Sequence, residues 1–168
     1  HKPCNKLPYD WNETDVIYPD QQTIYQLFKE QAEKTPHAEA VLHNTVIMTY
    51  TELLAHVHKL VYVLYEAGVE YGSIVVLAQD RGIDYLSSML AVWALGGAFV
   101  PLNPDLPIDK NNTVVKQTGH VLILTSEGYQ NYVKTLEQSA QIVCVERAKI
   151  PRDLVFDYPV VSSNALAY

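Results

Sequence analysis

Glycine is scarce in this sequence, with seven in 168 residues, and Gly96-Gly97 is its one adjoining pair. A loop that cradles phosphate needs several glycines, so that backbone N–H groups converge on the anion at a helix N-terminus. Gly96-Gly97 follows an apolar helical stretch instead, which is the wrong polarity for an anion site and reads as a helix stop. Cysteine is rarer still: Cys4 and Cys144 are far apart, with no CxxC spacing, which argues against a disulfide framework or a structural zinc site. Positive charge is also short, 12 Lys and Arg against 19 Asp and Glu, and it is scattered rather than clustered. Nucleic-acid binding is therefore not expected. No apolar run approaches the ~18 residues that would span a bilayer, and the first residues carry no basic-apolar-small signal pattern. These absences lead to the expectation of a soluble, cytoplasmic protein with no membrane partner.

What is present is a folded-protein composition, 48% hydrophobic and 18% charged, at a length that suits about one domain. Residues 1–22 are rich in Pro, Asn, Asp and Tyr without periodicity and read as an extended arm, with Trp11 and Tyr18 as anchors. Thr23 and Gln26 have capping-box spacing ahead of a helix over 24–34, which Thr35-Pro36 ends. Short β-prone runs at 40–42 and 46–48 flank His43-Asn44-Thr45 and predict an edge hairpin. Thr49 caps a long helix carrying Leu53, Leu54, Val57, Leu60, Val61, Leu64 and Tyr65 on one face, stopped at Gly68. From Ile74 onward strands and helices alternate. Strands are expected at 74–78, 98–102, 121–125 and 142–145, and helices at 83–95, 108–118 and 127–138. Such alternation predicts an α/β fold, a doubly wound, mostly parallel sheet flanked by helices.

Few residues suggest chemistry. His56 and His58 stand two apart on a helix and so diverge, whereas a shared metal wants spacing of three or four. Ser87-Ser88 lies in an apolar helix without a Gly-x-Ser-x-Gly elbow, so a hydrolase triad has no support. Asp80-Arg81 follows a buried strand at the carboxyl edge of the expected sheet, where ligands commonly bind, although a local ion pair or a loop-fixing role weighs more. Asn12-Glu13-Thr14 and Asn111-Asn112-Thr113 match the glycosylation sequon but mean little without a signal peptide. Residue chemistry alone assigns no catalytic, cofactor-binding or metal residue.

Several segments together nevertheless resemble one family, the adenylation domains of nonribosomal peptide synthetases among the acyl-adenylate-forming, AMP-binding enzymes. Trp11-Asn12-Glu13-Thr14 with Tyr18-Pro19 is similar to the linker from a condensation domain into an adenylation domain. Thr23-Ile24-Tyr25-Gln26-Leu27-Phe28 is similar to the helix that opens that domain. Met48-Thr49-Tyr50-Thr51-Glu52-Leu53 resembles the family's first core motif. Leu95-Gly96-Gly97-Ala98-Phe99-Val100-Pro101-Leu102-Asn103-Pro104 resembles its second. The motif residues Tyr50, Glu52, Leu53, Gly96, Gly97, Ala98, Val100, Pro101 and Pro104 all read as scaffold. The sequence also departs from the family's pattern: Gly82 stands where Ser is usual, Asn103 where Asp is, Leu106 where Tyr is, and Asn111 where an apolar residue is.

The resemblance implies an N-terminal subdomain over 23–168 that ends just before the family's ATP phosphate loop, since Asn164-Ala165-Leu166-Ala167-Tyr168 resembles the segment preceding it. It implies that the parent enzyme joins an amino acid to Mg-ATP as aminoacyl-AMP and loads a carrier-protein phosphopantetheine thiol. Expected partners are the remainder of the adenylation domain and neighbouring condensation and carrier domains, while the 168 residues alone are expected to be inactive. An uncovered apolar face near 160–168 predicts self-association. The alternative reading is a naturally truncated, non-catalytic module with a docking role.

Overall fold

The structure is a computed structural model and describes residues 22–43, 45–117, 122–136 and 141–152. Of the expected arm over 1–22, residues 1–21 lie outside these residues and Gln22 is already helical; the tail from 153 onward, Cys4 and the first sequon also lie outside.

Helix α1 (Gln22–Lys34) begins before Thr23, so the capping box expected there does not mark its start. It ends on schedule at Thr35, whose amide donates to the Gln31 carbonyl. Strands β1 (Glu39–His43) and β2 (Val46–Thr49) form the expected antiparallel hairpin, with a bulge between Glu39 and Val41. Val41 and Met48 pair across it and pack against the core, while the neighbouring pair Leu42 and Ile47 is exposed. This is the period-two alternation of a half-buried ribbon.

Helix α2 (Tyr50–Glu66) starts at a complete capping box: the Glu52 amide donates to Thr49 Oγ1 at 3.2 Å and the Thr49 amide to Glu52 Oε1 at 2.9 Å. It stops at Gly68, whose φ of +98° and bonds Gly68 N–H to Tyr65 O and Val69 N–H to Leu64 O make a Schellman ending.

The alternating region follows: β3 (Ile74–Ala78), α3 (Ile83–Ala94), β4 (Ala98–Pro101), α4 (Ile108–Gln117), β5 (Leu122–Thr125), α5 (Glu127–Lys134) and β6 (Gln141–Cys144). The last helix is shorter than expected, since Thr135 caps it with its hydroxyl on the Tyr132 carbonyl. The final strand stops one residue earlier than expected, where Val145–Arg147 turn as a 3-10 helix. All four strands are parallel, in the order β4-β3-β5-β6.

The chain thus steps from β3 to one side, crosses back, and continues on the other, so helices cover both faces. Val75, Leu77, Phe99, Leu122 and Leu124 pack with α1, α2 and α3, whereas Val76, Ala78, Val100 and Ile123 pack with Val115 of α4 and Val133 of α5. Alternate residues of β3 feed two different cores, which is why the strand is apolar throughout. Helix α3 is apolar nearly all round because it packs against α1 and α2 as well as against the sheet.

Candidate functional site

In a doubly wound sheet, ligands bind beyond the carboxyl ends of the strands, where the following loops diverge. Here those loops are 79–82 after β3, 102–107 after β4, and Ser126 after β5. Asp80 and Arg81 lie in the first, but each engages a different element. Asp80 Oδ1 accepts from the Tyr129 hydroxyl at 2.8 Å, tying the β3 loop to α5, and the Arg81 guanidinium lies 4.9 Å over the Tyr85 ring. Among the described residues the two do not pair with each other, so of the ion pair and the loop-fixing role expected it is the second that these contacts support. Hydrogen bonding to Asp80, followed by desolvation, raises the Tyr129 pKa above its ordinary value. Beneath this clasp the buried Thr125 hydroxyl donates to the Ala78 carbonyl at 2.8 Å and locks β3 to β5. Gln79 is 4% exposed, and neither polar atom of its amide has a hydrogen-bond partner among the described residues.

The loop after β4 is built more tightly. Asn103 Oδ1 accepts from the Asp105 amide at 3.0 Å, an Asx turn. The Asn103 carbonyl accepts from Asn111 Nδ2 at 2.8 Å, and the same Nδ2 donates to the Tyr132 hydroxyl at 2.6 Å. Asn111 is thus a buried polar residue, 1% exposed, whose amide joins the turn, α4 and α5. Sequence reasoning noted Asn111 as out of pattern but could not supply its partners, which arrive from 8 and 21 residues away. Between this turn, α4 and Arg81 lies an open cleft of about 650 Å³.

The two motif segments sit elsewhere. Tyr50 opens α2, its ring 6.2 Å from that of Phe28; Glu52 closes the capping box and Leu53 is buried in the core. Gly96 and Gly97 end α3 in a second Schellman arrangement, Gly97 N–H to Val92 O and Gly96 N–H to Trp93 O. Gly96 has φ of +78°, and a β-carbon there would stand 2.8 Å from Tyr71 Cδ1. One on Gly97 would stand 3.1 Å from the Ser73 carbonyl oxygen, so this glycine lets the end of α3 approach the chain entering β3. Ala98, Val100 and Pro101 form β4, Pro104 lies in the turn after it, and Leu102 N–H donates to Leu77 O.

The histidines also separate. His56 Nε2 lies 2.7 Å from Asp84 Oδ1, joining α2 to the first turn of α3, and this bond lowers the Asp84 pKa. His58 is held below the ordinary histidine value by burial and by nearby Lys29. Sequence reasoning missed the His56–Asp84 pair because 28 residues separate its members. Ser87 donates to the Ile83 carbonyl at 2.8 Å within α3, while the buried Ser88 hydroxyl has no partner among the described residues.

Among the described residues no three His, Cys, Asp or Glu side chains gather as a metal site, and no helix is long and apolar enough to cross a membrane. No glycine-rich cradle precedes a helix among the described residues either.

Residues 28–164 match the family described as AMP-binding enzyme. Bacitracin synthase 3 of Bacillus licheniformis is 32% identical over 98% of this chain, which spans 2% of that protein's length. The Klebsiella oxytoca NpsA N-terminal subdomain, solved with 3-hydroxybenzoyl-AMSN, superposes with a TM-score of 0.70 at 21% identity, over 83% of this chain and 35% of that one. A four-domain nonribosomal peptide synthetase bound to AMP and glycine superposes with a TM-score of 0.68 at 22% identity, over 80% of this chain and 10% of that one. The parallel sheet covered by helices on both faces is the fold these structures share with it, and the chain belongs to the AMP-binding enzyme family.

Proposed function

We propose that this chain forms the N-terminal part of an amino-acid adenylation domain of a nonribosomal peptide synthetase. The observation that carries the reading is the family match over residues 28–164, which takes in both motif segments. Similarity to bacitracin synthase 3 and to a synthetase solved with AMP and glycine supports the finer statement about the activity. In the intact domain, amino acid and Mg-ATP would give aminoacyl-AMP and pyrophosphate, and the aminoacyl group would pass to the phosphopantetheine thiol of a carrier domain. The contribution of these residues is a scaffold. The capped start of α2 and the two-glycine end of α3 fix helices against the parallel sheet. Residues 1–22 would lead in from a condensation domain.

Amino-acid-dependent exchange of pyrophosphate into ATP tests this reading. The complete domain containing this sequence is expected to show exchange with one or a few amino acids, and the 168 residues alone none. Absence of exchange by the complete domain with every proteinogenic amino acid and common aryl acids would reject the activity. Exchange by the isolated chain would reject the scaffold assignment.

A further inference from the structure

Helix α5 is eight residues long, and Val133 is the one buried side chain within it. A helix so short does not hold itself in water, so its placement is set by what it is tied to. Those ties run at one end to the turn that leaves β6 and at the other to both loops of the carboxyl edge. We propose that α5 is a conformational relay: a displacement of the chain leaving β6, felt at Glu146, is carried through the helix to the loops after β3 and β4 together.

The start of α5 is built by residues outside the helix. Its N-cap, Ser126, makes no side-chain bond to it. The acceptor comes instead from the 3-10 turn after β6, where Glu146 Oε1 takes the Glu127 amide at 3.0 Å across 19 residues of chain. A carboxylate at that place also suits the positive end of the helix. Beside it Arg147 Nε lies 3.5 Å from Glu127 Oε2, an exposed pair that adds little by itself but joins the same two segments.

Tyr129 and Tyr132 stand three residues apart and so share a face of α5. The Tyr129 hydroxyl donates to Asp80 Oδ1 at 2.8 Å, in the loop after β3. Hydrogen bonding to Asp80 first, then burial and the charges of Asp80 and Asp105, hold the Tyr129 pKa above its ordinary value, so the phenol keeps the proton it donates. The Tyr132 hydroxyl accepts from Asn111 Nδ2 at 2.6 Å, and the same Nδ2 donates to the Asn103 carbonyl at 2.8 Å, in the loop after β4. Chains of hydrogen bonds on a rigid element are the means by which such coupling travels. One turn of helix thus sets the spacing of two loops that border the region where doubly wound sheets bind ligands.

Hydrogen exchange and amide shifts of the ¹⁵N-labelled chain test the relay. Glu146→Ala touches neither loop, yet it should speed exchange of the Asp105 and Leu106 amides, which donate to Asn103, about threefold, and move the Asp80 and Arg81 shifts as well. Glu146→Gln keeps an acceptor and should restore both loops. With Tyr129→Phe and Tyr132→Phe together in the chain, Glu146→Ala should no longer reach either loop. Changes confined to α5 and the 3-10 turn overturn the proposal, and so does an effect on one loop alone, or one that persists at full size without the two hydroxyls. Equal acceleration at Val76 and Leu77, in an interior strand, would mean that the whole domain loosens and would also reject the relay. No nucleotide or amino acid enters the experiment, so its outcome is independent of the adenylation activity.

Discussion

Gly68 and Gly96 occupy the same position in two Schellman endings, with φ of +98° and +78°, but in different surroundings: nothing lies within 4 Å of a β-carbon on Gly68, whereas one on Gly96 meets the Tyr71 ring at 2.8 Å. Alanine at either site carries the left-handed penalty of ~1–2 kcal/mol for an L-residue. Lower freedom in the unfolded chain offsets ~0.4–1 kcal/mol of that. Gly68→Ala should therefore destabilise by about 1 kcal/mol. Gly96→Ala must also displace the ring, and since Tyr71 is 54% exposed the ring can rotate away. An off-rotamer or displaced tyrosine adds about 1 kcal/mol, for a total near 2 kcal/mol. In a Tyr71→Ala background the cost of Gly96→Ala should fall back towards that of Gly68→Ala, since the Cα and Cβ that remain at position 71 lie at 3.4 and 3.5 Å, ordinary van der Waals separations. Urea unfolding followed by circular dichroism of the four variants and their parents measures these differences. Equal costs at Gly96 and Gly68 in the parent chain, or no relief on removing the ring, would refute the assignment of the extra cost to Tyr71.

Asn111→Ala strips a buried amide from the Asn103 carbonyl and the Tyr132 hydroxyl, and should lower unfolding stability by about 2–3 kcal/mol in the same assay; a loss of a few tenths would mean that water replaces both bonds. Asp84→Asn should cost about 0.5 kcal/mol at neutral pH, a small figure because both members of the pair are partly exposed. Since the Asp84 pKa is lowered on folding, its contribution is present above the unfolded value near 3.8 and disappears as pH falls through the folded one. Thermal scans of both chains should therefore converge in acid, and a gap that widens there would contradict the pairing. His58 acts in the same direction over a higher range, below 6.5: the unfolded chain takes the proton first, so stability falls on acidification. His58→Gln should flatten the pH dependence of the melting temperature between about pH 7 and 5, and an unchanged slope would assign that loss to other groups.

Much of the architecture was legible because its signals are local. Thr49 and Glu52 stand three residues apart, Gly68 and Gly96-Gly97 follow apolar helices directly, and β3 is apolar at every position because its two faces meet two cores. The start of α1 was misplaced because Thr23 has a capping side chain and capping spacing, although the helix begins at Gln22. The ends of α5 and β6 were overrun because apolar periodicity continues past the residues where the chain turns. At the carboxyl edge the sequence placed Asp80 and Arg81 correctly but not their partners: Tyr129 lies 49 residues from Asp80. Asn111 was conspicuous only as an oddity, since a polar residue on an apolar face does not reveal which carbonyl and which hydroxyl it will meet.

The order of the sheet has a consequence for how the molecule opens. Strand β3 is bonded to β4 on one side and to β5 on the other, and its alternate side chains belong to the cores on either face. Its β4 partner follows within one helix, but the bond from Thr125 back to Ala78 closes across 47 residues. Fluctuations that release the edge strands can leave β3 in place, whereas exposing the amides of Val76 and Leu77 to solvent requires both cores to part together. Those amides report the free energy of the whole domain, and the edges only that of their own fraying.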